Sequence, residues 1–240
     1  MPYRLSPSSL KLLDECARCF YLDKNKGIKR PSTSFPGLPN GMDRILKNYF
    51  DHHRDQGTVP PALADLEDVA LFADKKRLHG WQNARNGSLF WTDEKGNTLR
   101  GGVDYLAQRN GKLIVLDYKT RGTPIDPKKQ PEYSGSQLNI YNFLLRKLGY
   151  QTEDSSFLLF YHPTVATEGV DANITEVSFK LERVAMQISV EDAAALHYRA
   201  VSVLEGKLPA SDPKCGFCTW ADKSVRYLGK GNLLRKTFGF

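Results

Sequence analysis

The chain has 240 residues, of which 40% are hydrophobic and 11% aromatic, so it can bury one substantial core. Its net charge of +7 and pI near 9.1 suit a partner with a negatively charged backbone. No segment approaches the roughly 20 apolar residues of a membrane span, and the first residues lack the apolar core of a signal peptide. We therefore expect a cytoplasmic protein without a membrane partner.

The first predicted helix covers residues 8–23. Ser6 is a suitable N-cap, Pro7 suits the first turn, and apolar residues recur at helical spacing between Leu10 and Tyr21. The spacing therefore predicts one continuous amphipathic helix near the start of the chain.

Three prolines and a glycine between residues 30 and 40 predict a loop. Its basic flank, Lys29 and Arg30, is a candidate contact for nucleic acid. A second helix is predicted over 41–56. Four residues are expected on its inward face: Ile45, Leu46, Tyr49 and Phe50.

The rest of the chain predicts a mixed α/β core within one domain that covers residues 1–240. The stretch 52–98 is less regular, and we interpret it as a helical insertion; residues 207–240 form a basic segment that carries two cysteines. The other predicted elements are strands over 89–92, 98–108, 112–119, 155–162 and 174–182, and helices over 132–148 and 190–206.

An Asn-Gly pair at 110–111 predicts a β-hairpin, because it lies between alternating apolar residues and suits a turn with two positive φ angles. A two-residue turn at this point places Arg109 opposite Lys112. The same register places Asp104 opposite Asp117, where two like charges repel. A divalent cation between the carboxylates would remove that repulsion.

Lys119 projects from the same face of the strand as Asp117, because side chains alternate along a strand. Two carboxylates and an ammonium group would then converge, as metal-dependent hydrolysis requires. Aspartate and lysine are also common on solvated strand faces. The apolar run at 113–116 favours the catalytic interpretation, because it predicts a buried strand that ends in costly charges.

The hairpin carries Gly102–Asp104 and Asp117–Lys119, and the helix after it carries Gln137 and Tyr141. These motifs resemble those of the PD-(D/E)XK nuclease superfamily, and in particular its RecB-like branch. That branch includes the CRISPR-associated adaptation nucleases and the AddB-type helicase-nucleases. The opening segments 5–10 and 16–21 are also similar to its amino-terminal helix.

The resemblance implies a restriction-endonuclease-like core, with a central mixed β-sheet flanked by helices. It also implies a metal-dependent DNA nuclease, acting as an exonuclease on single-stranded or end-bearing DNA, with helicase, CRISPR or repair proteins as further partners. Asp104, Asp117 and the backbone carbonyl of Tyr118 would bind Mg²⁺ or Mn²⁺. The implied catalytic set is Asp104, Asp117, Lys119, Gln137 and Tyr141, with Tyr141 also contacting the nucleic acid. Endonuclease action and RNA substrates stay open.

One position departs from the RecB-like pattern. That branch carries a metal-binding histidine four residues after a glycine. In this chain the residue four positions after Gly41 is Ile45. His52 and His53 are out of register, and Asp43 is a candidate substitute ligand. The departure motivates an alternative function, a catalytically degenerate nuclease fold that binds nucleic acid without cutting it.

The four cysteines form two Cys-x-x-Cys pairs, one near each end of the chain. This spacing predicts that Cys16, Cys19, Cys215 and Cys218 hold one metal centre; redox-active or core cysteines are the alternatives. Four thiolates suit a [4Fe–4S] cluster or tetrahedral zinc. The resemblance implies iron–sulfur, with Ser224 at the usual position of one ligand and Cys19 additional, whereas the two-plus-two spacing favours zinc. We expect the [4Fe–4S] cluster, with Zn²⁺ as the alternative.

Overall fold

A computed structural model of the chain describes residues 2–31, 37–124, 126, 130–164 and 178–238. Within these residues, helices and strands form a mixed α/β fold with two sheets. The helices are α1 (Pro7–Glu15), α2 (Ala17–Lys26), α3 (Gly37–Asp55), α4 (Lys75–Gln82), α5 (Gln130–Lys147), α6 (Val190–Glu205) and α7 (Gly216–Phe238). The strands are β1 (Arg4–Leu5), β2 (Val69–Leu71), β3 (Phe90–Thr92), β4 (Thr98–Arg100), β5 (Tyr105–Arg109), β6 (Lys112–Thr120), β7 (Ser155–Pro163) and β8 (Phe179–Gln187).

The larger sheet has the strand order β2-β5-β6-β7-β8 and carries the predicted hairpin at its centre. β6 pairs antiparallel with β5 and parallel with β7. A parallel neighbour requires a crossover connection, and α5 lies in that connection. The run Leu113–Leu116 is almost completely buried, as predicted for a central strand. The predicted mixed α/β class is confirmed.

The predicted continuous strand over 98–108 is wrong. β4 belongs to a small sheet of order β1-β4-β3, whereas β5 belongs to the larger one. Gly101 and Gly102 separate them, and a Cβ atom on Gly102 would lie 2.9 Å from Ala84 Cβ. The chain changes sheets where only glycine allows so close an approach.

The single predicted helix over 8–23 is two helices, α1 and α2, which meet at Cys16. Cys16 has an extended backbone, with φ −168°, and its Sγ accepts a hydrogen bond from the Cys19 N–H at 3.5 Å. It therefore ends one helix and caps the next. The predicted cap of α1 is confirmed, because Ser6 Oγ accepts from the Ser9 N–H at 3.3 Å.

The predicted inward face of α3 is half correct. Leu46 and Phe50 are buried, but Ile45 is 58% exposed and Tyr49 is 38% exposed. The buried face instead continues through Met42, because residues four apart share one side of a helix.

Several boundaries differ from the predictions. The stretch 52–98 contains β2, α4 and β3 as well as a 3-10 turn at Pro61–Leu63. It is therefore not purely helical, because β2 is an edge strand of the larger sheet. α3 begins within the predicted loop, α7 was not predicted, and β8 begins later than expected. Residues 32–36 and 174–177 of those predictions lie outside the described residues. No helix in the described ranges combines the length and apolarity needed to cross a bilayer.

Candidate active site and cysteine centre

The hairpin between β5 and β6 has the register that the sequence predicted. Asn110 and Gly111 have φ angles of 50° and 77°, as a two-residue turn with two positive φ angles requires. Arg109 pairs with Lys112 across the turn. The β5–β6 ladder continues to the pair Tyr105–Leu116. The next residue on each strand is an aspartate, Asp104 before Tyr105 and Asp117 after Leu116.

Asp104 lies just before β5 and is fixed at both its side chain and its backbone. Its Oδ2 accepts a hydrogen bond from the Tyr118 N–H at 2.8 Å. Its carbonyl oxygen accepts from Gln82 Nε2, also at 2.8 Å. The Tyr118 N–H therefore bonds the Asp104 carboxylate instead of a backbone carbonyl of β5, and this bond keeps the carboxylate beside Asp117.

Asp117 is completely buried, and neither of its carboxylate oxygens has a hydrogen bond of ordinary geometry. Its Oδ2 contacts the Lys119 ammonium in an ion pair. Burial raises the pKa of Asp117, and the Lys119 charge opposes that rise. A buried carboxylate with so few partners is costly for the fold, which is typical of a group kept for function.

The two aspartates are electrostatically coupled. Burial and the charge of Asp117 together raise the pKa of Asp104 to about 7. A cation held between the two groups would favour both ionised forms. Two carboxylates at the end of a buried strand are hard oxygen donors, so these residues fit Mg²⁺ or Mn²⁺.

A hydrogen-bonded chain connects the end of β6 to α5. Lys119 Nζ donates to Gln137 Oε1 at 3.2 Å, and Gln137 Nε2 donates to the Tyr141 hydroxyl at 2.7 Å. Burial raises the pKa of Tyr141 well above its usual range, and the charges of Asp117 and Asp104 add to the rise. The phenol therefore stays protonated at neutral pH.

A cleft of about 500 Å³ opens beside these three hydrogen-bonded side chains. Lys119, Gln137 and Tyr141 form part of its wall. The start of α1, the end of β4 and the residue after β6 form further parts of the wall. These parts contribute two hydroxyl groups and three cations: Ser6, Ser8, Lys11, Arg100 and Arg121.

The four cysteines meet although they lie at opposite ends of the chain. The Sγ atoms of Cys16 and Cys218 are 3.6 Å apart, and Cys19 Sγ lies 3.7 Å from Cys215 Sγ and 3.9 Å from Cys218 Sγ. All four sulfurs lie within 4.8 Å of one another and are buried. Their predicted convergence is confirmed.

Comparison with known proteins identifies the family. A family model of the PD-(D/E)XK nuclease superfamily matches residues 36–222. The chain belongs to the PD-(D/E)XK nuclease superfamily. The crystal structure of SSO0001 is similar at 12% identity and a TM-score of 0.37, over 87% of this chain and 80% of that one. No curated protein sequence matches the chain.

Asp43 stays a candidate ligand, because its charge raises the pKa of Asp117 and it therefore lies within electrostatic reach of that carboxylate. Asp43 Oδ2 accepts from Lys47 Nζ at 2.8 Å. Within the described residues, only the cysteines form a group of three or more potential ligands with all their donor atoms within 4.8 Å of one another. Ile45 is exposed, and His53 Nδ1 lies 2.8 Å from Thr58 Oγ1.

Arg30, predicted to contact nucleic acid, lies at the cysteine centre. Its guanidinium donates to Glu15 at 2.5 Å and to Cys215 Sγ at 3.5 Å, and lies 4.7 Å from the Phe217 ring centroid. Lys29 beside it is exposed and stays a candidate nucleic-acid contact.

Three residues of the candidate site were not predicted from the sequence. Gln82 lies in the stretch without recognisable motifs, and no pattern indicates that it binds the Asp104 carbonyl. Lys11 and Arg121 line the cleft. Two sequence signals could have indicated them. The Ser6 cap fixes the start of α1, which carries Lys11, and Arg121 lies two residues after Lys119 of the β6 motif.

Proposed function

We propose that the protein is a Mg²⁺- or Mn²⁺-dependent deoxyribonuclease of the RecB-like branch. It hydrolyses phosphodiester bonds as an exonuclease on single-stranded or end-bearing DNA. One observation carries the proposal: Asp104, Asp117 and Lys119 converge at the end of β6, beside a basic cleft. Charged groups are costly in this position unless they are used.

Asp104, Asp117 and the backbone carbonyl of Tyr118 would hold the divalent ion. When bound, such an ion stabilises charge on the phosphoryl oxygens and makes a water nucleophilic near neutral pH. The protein's part is to keep both carboxylates ionised and aligned. The Tyr118 N–H and the Gln82 amide fix Asp104 for that purpose.

Lys119 would stabilise negative charge that develops on the phosphate or orient the attacking water. Its ammonium is held between Asp117 and Gln137, so it lies beside the carboxylates that would bind the metal. The Gln137 amide in turn donates to the Tyr141 hydroxyl. That hydroxyl keeps its own proton free to donate to a phosphate oxygen in the cleft.

The cleft cations would hold the DNA backbone. Lys11 and Arg121 are exposed, and both line the cleft that contains Lys119. Phosphate contacts by such residues position a strand without reading its sequence. Cleavage without strong sequence preference is therefore expected.

A metal-dependence assay on labelled substrates tests the proposal. Dialysed protein is incubated with Mg²⁺, Mn²⁺ or Ca²⁺ and with linear single-stranded, linear duplex or circular single-stranded DNA, or with RNA. The expected result is degradation of linear DNA with Mg²⁺ or Mn²⁺ and survival of the circle. Asp117→Asn, purified in parallel, is the control for contaminating nucleases.

The alternative, a degenerate fold that only binds nucleic acid, predicts a different outcome. DNA binding without cleavage under every metal and substrate would replace the nuclease proposal with it. Equal cleavage by Asp117→Asn would show that the observed cleavage does not come from the Asp117 site. Degradation of the circle would replace exonuclease with endonuclease action.

A further inference from the structure

The sulfur separations at the cysteine centre distinguish the two metal centres that four cysteines can hold. Sulfurs bound tetrahedrally to one zinc ion at about 2.3 Å lie about 3.8 Å from one another. In a [4Fe–4S] cluster each thiolate binds a different iron atom, so the sulfurs lie on the order of 6 Å apart. Three of the six separations here are 3.6, 3.7 and 3.9 Å, and all six are within 4.8 Å. The residues therefore do not fit the iron–sulfur cluster that the family resemblance implies.

The two cysteine pairs occupy equivalent places on two helices. Cys16 is the residue before α2 and Cys19 is the third residue of that helix; Cys215 and Cys218 have the same relation to α7. Both helices direct their positive N-terminal ends towards the four sulfurs. This repeated local geometry lets two short segments supply two thiolates each to one point.

The surroundings of the sulfurs also suit a negatively charged complex. Zinc with four thiolates carries a net charge of −2, and charge of this sign is stabilised by nearby donors. Arg30 supplies one, because its guanidinium lies 3.5 Å from Cys215 Sγ. Phe217 and Glu15 hold that guanidinium in place.

The geometry points to a single zinc ion, bound tetrahedrally by Cys16, Cys19, Cys215 and Cys218, with Arg30 as a positioning residue for the complex. The ion joins helices α2 and α7 across 202 positions of sequence. Four cysteine ligands leave zinc no open position for a water or a substrate, so the centre is structural. The inference concerns this centre alone and does not depend on nuclease activity.

Metal analysis of the wild-type protein tests the inference. The protein is expressed with iron and zinc both supplied, purified without oxygen and analysed for zinc, iron and acid-labile sulfide. The expected result is about one zinc per chain in a colourless protein. Cobalt replacement should give the visible absorption of tetrahedral thiolate-bound Co²⁺. Brown protein with several irons and sulfide per chain would overturn the inference, as would protein with no bound metal.

Zinc release tests the role of Arg30 separately. Transfer of the ion to a coloured chelator is followed in wild-type protein, Arg30→Ala and Arg30→Lys, with the exposed neighbour in Lys29→Ala as the matched control. Arg30→Ala should release zinc about 10- to 100-fold faster, Arg30→Lys should restore part of the retention, and Lys29→Ala should match the wild type. Equal release by Arg30→Ala and wild type would remove Arg30 from the centre.

Discussion

Lys119 and Gln137 are joined by a hydrogen bond of 3.2 Å across 18 positions of sequence. It links the end of the central strand β6 to α5, the helix that crosses over to β7. Lys119 also contacts the buried carboxylate of Asp117. The crossover helix therefore holds the ammonium group at the point where both aspartates meet.

Replacement of Gln137 by Ala should reduce the rate of DNA cleavage about 10- to 100-fold, because Lys119 loses its second partner and Tyr141 its donor. The measurement is kcat and KM on linear DNA. Asn139→Ala is the matched control, because Asn139 lies on the same helix but accepts a hydrogen bond from the Ser189 N–H instead. A loss of the same size in both variants would indicate a general loosening of α5.

Asp117→Asn should reduce activity by more than about 100-fold, because a direct metal ligand is lost. The fold should be kept. Without added divalent metal, this variant should melt no lower than wild type, because it removes the repulsion between the buried carboxylates of Asp117 and Asp104 and leaves Lys119 its hydrogen bond to Gln137. Melting is measured by circular dichroism. A large fall in melting temperature would show that Asp117 serves the fold rather than the chemistry.

Gly101→Ala should impair both stability and activity. An added Cβ would lie 2.9 Å from Tyr141 Cε1 and 3.1 Å from Leu144 Cδ1, and such overpacking costs about 1–3 kcal/mol. The displaced Tyr141 ring should also lower cleavage at temperatures where the variant is folded. Gly122→Ala is the control, since nothing lies within 4 Å of its added Cβ. Wild-type activity in Gly101→Ala would show that Tyr141 has no catalytic role.

Removal of cleft cations should weaken DNA binding in a salt-dependent way. Lys11→Ala and Arg121→Ala should each reduce the slope of log K against log salt by about one. Binding is measured by fluorescence anisotropy with the cleavage-deficient Asp117→Asn protein. Lys112→Ala is the control, because Lys112 lies at the other end of β6, roughly 23 Å from Lys119. Equal slopes in all variants would place the DNA elsewhere.

Asp93 should make stability depend on pH. Burial would raise the pKa of Asp93, but hydrogen bonds from His197 and Asn97 outweigh it and hold the pKa below its ordinary value of 3.8. The stabilisation is therefore complete above that value and is lost as pH falls through the lower folded-state pKa. The difference in melting temperature between wild type and Asp93→Asn should shrink from about pH 6 to about pH 3. A constant difference would contradict this.

Local sequence determined the hairpin, its register and the residue types at its end. The Asn-Gly turn at 110–111 needs two positive φ angles, and a two-residue turn fixes which side chains face each other. The spacing of Asp117 and Lys119 then follows from strand alternation alone. The two Cys-x-x-Cys pairs likewise indicated a shared centre, because thiolates at that spacing suit one metal.

Only the tertiary structure decided how distant segments meet. Arg30 and Gln82 reach the cysteines and Asp104 through packing of helices, and no local pattern encodes such contacts. Cys16 breaks the predicted first helix because its thiol joins the other three. The sulfur separations, which favour zinc, depend on the packing of α2 against α7. Long-range hydrophobic contacts determine where the ends of these helices lie, whereas local helix propensity does not.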